Sequence, residues 1–182
     1  MAPETIPAGG ILRLVDFAED CKKLDLQAFI EKHGEAFLLH HGPLGKLQVR
    51  APGSSTMNTE GSQTATDVPF NPKEDFLVFP VRRKPNSKDE GAWVGQSESN
   101  DVVVPEATVS GVHAFIRRDQ DNRFYIQDMN SRNGTRVDDE PVPGLGIGPP
   151  KELDVAAEVT LGATRLTFLP AAEFQDMVNR IC

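Results

Sequence analysis

The chain has 182 residues, with 15 glycines, 14 prolines, an apolar fraction of 38% and a formal net charge of −8 from 19 basic and 27 acidic residues. That length holds one ordinary domain with an extension, and the Gly/Pro content points to many turns between short strands. The acidic balance excludes a nucleic-acid backbone as the expected partner, because such a partner needs a dense basic face.

No apolar run reaches 18 residues, so no membrane partner is expected. The apolar residues between Ile11 and Val15 are broken by Arg13 and followed by Asp16, too short and too charged for a secretory leader. The expected location is cytoplasmic. Cys21 and Cys182 lack metal or redox spacing and are expected to be free thiols.

In chain order, residues 1–48 read as a helical extension. Phe17, Cys21 and Leu24 recur at helical spacing. Asp25 is placed to cap a second helix with Leu26, Phe29, Ile30 and His33 on one face, ended by Gly34. Ala36 to Leu39 read as a short strand or a buried end. So few apolar residues make no core alone, so this piece should pack on the later domain or on a partner. Residues 49–73 are rich in Ser, Thr, Gly and Pro, including Thr56, Thr59, Thr64 and Thr66, and read as a flexible linker.

From residue 74 to 170 the periodicity is that of strands. Short apolar runs at Phe76–Phe79, Trp93–Val94, Val102–Val104, His113–Ile116, Phe124–Ile126, Val159–Leu161 and Arg165–Phe168 alternate with turn residues, and Gly162 suits a type II′ hairpin. The expected class is mainly β, a sandwich of short antiparallel strands. Arg82-Arg83-Lys84 reads as a solvated strand end. After Pro170, Phe174, Met177, Val178 and Ile181 predict a short helix over 171–182.

Two segments about twenty residues apart carry the most functional information: VGQSESNDVVVPEATVSGVHA, Val94 to Ala114, and DMNSRNGTRV, Asp128 to Val137. Asn133-Gly134 between strand-like runs is a turn in its own right, since both residues tolerate positive φ. Together the segments resemble the signature of the forkhead-associated (FHA) domain family, roughly Gly-Arg, then Ser-x-x-His, then Asn-Gly-Thr. The resemblance covers about residues 75–170 and implies a β-sandwich that reads phosphothreonine peptides with loops gathered at one end.

The family roles fall on this chain as follows. Gly95, His113, Gly134 and Thr135 would shape the binding loops, His113 by hydrogen bonds within them. Ser110 would donate to a phosphate oxygen, and Asn133 would bond the peptide backbone. Arg132 would favour an acidic residue three positions after the phosphothreonine. Ser97 and Gly111 would line the site, Gly111 offering only its backbone where the family often has a polar side chain. Gln96 stands where the family has its phosphate-binding arginine. A hydrogen bond to a charged group contributes about 1.5–3 kcal/mol and a neutral one about 0.5–1.5, so the exchange costs about ten-fold or more in affinity.

Two readings therefore stay open. One is a phosphothreonine-binding module with a weakened clamp; the other is a phosphate-independent protein-binding or self-assembly scaffold on the same fold. Its partner is a phosphorylated protein or peptide in the first, and an unphosphorylated protein or a second copy in the second.

An enzyme is not expected: Ser110 and His113 are close, but no nucleophile elbow precedes the serine and no acid is placed to orient the ring. No cofactor or metal is expected either. His40-His41 lacks a further ligand at metal spacing, Asp138-Asp139-Glu140 lacks the rest of a calcium loop, and no helix stands behind the glycines of 144–148 to bind an anion.

Overall fold

The computed structural model describes residues 12–40 and 76–182. The linker expected over 49–73 and its threonines lie outside the described residues. The described chain begins with β1 (Leu12–Arg13), α1 (Leu14–Lys23), α2 (Leu26–His33) and β2 (Ala36–His40). Then come β3 (Leu77–Val81), β4 (Gly91–Gly95), β5 (Val102–Val103), β6 (Ala114–Arg118) and β7 (Phe124–Asp128). The last elements are β8 (Thr135–Val137), β9 (Glu140–Pro141), β10 (Lys151–Leu153), β11 (Glu158–Leu161), β12 (Thr164–Pro170) and α3 (Ala171–Ile181).

The strands form a seven-stranded sheet in the order β1-β3-β2-β12-β11-β8-β9 and a five-stranded sheet in the order β10-β7-β6-β4-β5. The expected sandwich is present. One pair departs from the antiparallel expectation: β5 runs parallel to β4, with Val102 opposite Val94. The pair is two residues long, and buried Asn100 folds the chain back by donating to the carbonyls of Ser97 (2.8 Å) and Gly111 (2.6 Å).

The hairpin turns follow local chemistry. Val137 faces Glu140 across the two-residue turn Asp138-Asp139, where both residues have positive φ, as a type I′ turn requires. Leu161 faces Thr164 across Gly162-Ala163, and only the glycine has positive φ, which is the type II′ pattern.

The segment Ala36 to Leu39, expected as a short strand or a buried end, is β2 and joins the N-terminal segment to the sandwich. This strand lies inside the seven-stranded sheet, antiparallel to both β12 and β3. The reason is burial on both faces. Ala36 and Leu38 join the core between the sheets, with Val94, Ile116, Ile126, Val159 and Phe168. Phe37 and Leu39 point the other way, into a second core with Leu14, Phe17, Phe29, Phe174 and Val178 from the three helices. A period of two on one strand thus serves two cores. The molecule has three layers: helices, seven-stranded sheet, five-stranded sheet.

Aromatic rings hold the helical layer. Phe37 stacks on Phe174 with centroids 3.9 Å apart and planes 14° apart, and Phe17 meets Phe174 edge-on at 5.2 Å. Asp25 caps α2, accepting from the Ala28 N–H at 2.9 Å. Gln175 and Asn179 of α3 donate to the Cys21 carbonyl of α1. Cys21 and Cys182 are free, and burial pushes the Cys21 thiol up to about 11.

If the helices are integral to the fold, Phe174→Ala lowers global stability by about 3–5 kcal/mol, the usual cost of emptying a buried aromatic site. Urea denaturation followed by tryptophan fluorescence, which reports from Trp93 in the other sheet, measures it. A loss below about 1 kcal/mol would show a separable helical layer.

Candidate functional site

Strand register places the loops that carry the two motif segments at one end. β4 ends there at Gly95, β6 starts at Ala114, β7 ends at Asp128 and β8 starts at Thr135. Three segments meet: residues 95–101, 104–113 and 128–134.

His113 joins them. Its side chain is fully buried, and its Nδ1 accepts from the Ser110 N–H at 2.9 Å. That leaves the proton on Nε2, which donates to the Gly134 carbonyl at 3.0 Å. The ring is thus a neutral tautomer fixed by both neighbours. Burial lowers its pKa, against the pull of the Gly134 carbonyl and Asp128.

Asp128 organises the β7–β8 loop. Its carboxylate accepts from the Ser131 N–H (3.0 Å), the Ser131 hydroxyl (2.6 Å) and the Thr135 hydroxyl (2.6 Å). The Ser131 Oγ in turn accepts from the Gly134 N–H at 3.0 Å. Burial alone would raise the Asp128 carboxyl; the hydrogen bonds from Ser131 and Thr135 outweigh it and hold the group below its usual range. Gly134 takes φ +79°, which suits the turn.

A pocket of about 250 Å³ opens between the loops, lined by Gln96, Thr108, Ser110, Gly111, Arg132 and Asn133 together with Ala107 and Val109. Five of the six residues expected to bind are brought together here. The sixth, Ser97, is outside the lining; its hydroxyl pairs with Ser99 Oγ at 2.9 Å within its own loop. The Ser110 Oγ accepts from the Arg132 N–H at 2.9 Å, so its own proton remains available to a ligand. The Gln96 amide donates to the Glu106 carbonyl at 3.0 Å, and the Asn133 amide donates to the Thr108 carbonyl at 2.8 Å. Arg132 is exposed and is the one charged side chain in the lining.

Sequence reasoning gave no role to Asn100, Thr108 or Asp128. Thr108 accepts from Asn133 through its carbonyl and from the Ala163 N–H through its hydroxyl at 3.0 Å, which ties the β5–β6 loop to the β11–β12 turn. Of the three, Asp128 had a signal: an Asp three residues before a Ser is the spacing of a side chain that caps its own loop.

With this geometry in place, a family model for the FHA domain matches residues 92–162. An oxoglutarate dehydrogenase inhibitor of Corynebacterium diphtheriae is 30% identical over 115 residues, spanning 60% of this chain and 76% of that protein. The chain belongs to the FHA domain family. A second oxoglutarate dehydrogenase inhibitor, from Corynebacterium jeikeium, is 30% identical over 102 residues, spanning 53% of this chain and 66% of its own length. Among solved structures, the FhaA FHA domain in complex with an intracellular protein domain is 26% identical over 45% of this chain and 84% of that one, with a TM-score of 0.38. Mycobacterium tuberculosis EmbR in complex with a low-affinity phosphopeptide is 27% identical over 42% of this chain and 19% of that one, with a TM-score of 0.37.

FHA domains are phosphopeptide-binding interaction modules without catalytic activity, and this chain is an interaction module of that type. The family match starts in β4 and ends at the Gly162 turn, so β1, β2, β3, the whole of β12 and the three described helices lie outside it.

Two outcomes follow from the loop geometry. A Cβ on Gly95 would lie 2.4 Å from the Gly111 carbonyl oxygen, whereas one on Gly111 would meet nothing within 4 Å. Gly95→Ala should therefore cost about 1–3 kcal/mol, as overpacking against backbone does, and Gly111→Ala should stay within about 0.5 kcal/mol; chemical denaturation of the pair measures both.

The second concerns pH. His113 and His33 both have pKa values lowered by burial, His33 despite Asp20 at 2.7 Å from its Nε2. The unfolded chain then binds more protons as pH falls through about 6.5, so stability is full above that value and declines below it. His113→Gln should flatten part of the decline between pH 7 and 5 in urea midpoints. An unchanged slope would show that the ring is not held neutral.

Proposed function

We propose that the chain is a phosphothreonine-peptide receptor with a weakened phosphate clamp, because Gln96 occupies the position where the FHA signature has arginine. The pocket between Ser110, Gln96, Asn133 and Arg132 carries this reading. Ser110 has a hydroxyl proton to give to a phosphate oxygen. Gln96 supplies neutral donors on a short arm already engaged by the Glu106 carbonyl. Asn133 sits at the pocket rim, where its amide exchanges the Thr108 carbonyl for a peptide carbonyl.

The charge needed to distinguish phosphate from hydroxyl then falls to Arg132. A guanidinium donates to two oxygens at once, and such charge-assisted pairs are about twice as strong as neutral ones. The side chain either meets the phosphate or reads an acidic residue three positions downstream. The names of the two corynebacterial relatives make oxoglutarate dehydrogenase one protein to test as a partner.

A second reading, phosphate-independent binding or self-assembly on the same surface, draws support from the satisfied state of the Gln96 amide. Titration of one threonine peptide, phosphorylated and not, with an acidic residue at the third following position, separates the two. The first reading expects at least ten-fold preference for the phosphopeptide; equal affinity would sink it.

Two substitutions test the assigned atoms. Gln96→Arg should tighten phosphopeptide binding by about 1–2 kcal/mol. Arg132→Ala should weaken the phosphopeptide by about ten-fold or more while leaving the unphosphorylated peptide unchanged, both read by calorimetry.

A further inference from the structure

The loop between β9 and β10 presents two large apolar side chains to solvent: Ile147 is 81% exposed and Leu145 51%. Isolated apolar side chains on a surface need no explanation. These two differ because the backbone beneath them is held in place. The Leu145 N–H donates to the Asp128 carbonyl at 2.9 Å, and the Ile147 N–H donates to the Gly144 carbonyl at 2.9 Å. The Gln127 amide donates to the Pro143 carbonyl at 2.6 Å, and the Asn130 amide donates to the Leu145 carbonyl at 3.4 Å. Gly144 bridges to Asp128, and a Cβ there would strike Asn130 Oδ1 at 2.4 Å. Pro143, Pro149 and Pro150 restrict the same stretch.

One anchor, Asp128, also organises the loop of the candidate site. Asp128 and Asn130 lie in the segment that continues directly into Arg132 and Asn133. The apolar tip is therefore fixed to the start of the β7–β8 loop, whose later residues Arg132 and Asn133 line the pocket. A tip ordered in advance loses little conformational freedom when it is covered, which is the condition under which apolar contact converts to affinity.

We propose that Leu145 and Ile147 form an apolar subsite for the same partner segment that enters the pocket, engaging a large aliphatic or aromatic residue beyond the one that meets Arg132. The proposal rests on the phosphothreonine reading. It supplies affinity that the neutral Gln96 position does not, and it makes the recognised sequence longer than a phosphothreonine with an acidic residue after it. The Leu145/Ile147 tip is thus a specificity determinant.

The test uses the full chain and a degenerate phosphothreonine peptide library with eight randomised residues on each side, run beside the Leu145→Ser/Ile147→Ser double variant. Both side chains are exposed, so the variant keeps the fold, which a thermal melt checks. Expected is enrichment of large apolar residues at one or two positions after the acidic selection in wild type, erased in the variant with the acidic selection intact. For a peptide resynthesised from that consensus, the variant should bind about ten-fold more weakly. Retention of phosphopeptides without apolar selection, or apolar selection that survives in the variant, overturns the subsite and leaves the phosphothreonine reading standing. No preference for the library over its dephosphorylated form overturns both. Concentration-dependent dimerisation of wild type, abolished in the variant, would give the tip to a second copy and overturn the subsite as well.

Discussion

The binding end of this molecule depends on one buried imidazole. His113 accepts from one loop and donates to another, so the Ser110 N–H and the Gly134 carbonyl are held at a fixed separation. Without the ring the Ser110 N–H would lose its partner, at a cost of about 1–3 kcal/mol, while the Gly134 carbonyl would keep only the Gly162 N–H at 3.0 Å. Everything that lines the pocket hangs from these two points. Ser110 carries its hydroxyl and meets the Arg132 backbone; Gly134 ends the turn that presents Asn133. The Asp128 carboxylate does the same work within one loop, tying Ser131 and Thr135 together so that the turn is already formed. The site is thus built from short polar links rather than from an apolar cavity, which explains how loops with few buried side chains hold a definite shape.

Those links need a rigid base, and the base is larger than the family match. The sandwich core alone leaves the outer face of the seven-stranded sheet bare along β2, β3 and β12. Phe37 and Leu39 on that face are covered by α1, α2 and α3, whose Phe17, Phe29 and Phe174 close around Phe37. The helical layer therefore stabilises the middle of the sheet, from which β12 and β11 run to the Gly162 turn. There a Cβ would meet the Thr108 carbonyl at 2.4 Å, so glycine is needed for the turn to reach the β5–β6 loop. Packing at the helical face is linked through one hairpin to the site.

Much of this was legible in the sequence because the signals were local. Asp25 and Gly34 bracket α2 as expected, and Gly162 marks its turn. Motif spacing located the loops that meet at the pocket. What was not legible depended on long-range pairing. Ala36 to Leu39 is a continuous apolar run, which fits a short strand and a buried end alike, and only pairing with β3 and β12 decides. β9 and β10, Glu140–Pro141 and Lys151–Leu153, carry no apolar alternation; neighbours define them. Asn100 belongs to the same class, because its two acceptors are backbone carbonyls whose approach no side-chain pattern encodes.

Gln96 brings these threads together. Its backbone N–H donates to the Ser110 carbonyl at 2.9 Å, so the position is structural whatever side chain it bears. The exposed neutral amide there donates to the Glu106 carbonyl at 3.0 Å, across the mouth of the pocket. The scaffold and the charge of the site are therefore separable: hydrogen bonds through His113, Asn100 and Asp128 fix the loops, while the side chain at 96 meets only the Glu106 carbonyl. With Gln96 the pocket is preorganised and has Arg132 as the one charged side chain of its lining. On the proposed reading such a pocket gains affinity from contacts around it, and the Leu145/Ile147 tip, tied to Asp128 by the Leu145 N–H, is the rigid apolar surface available to make them.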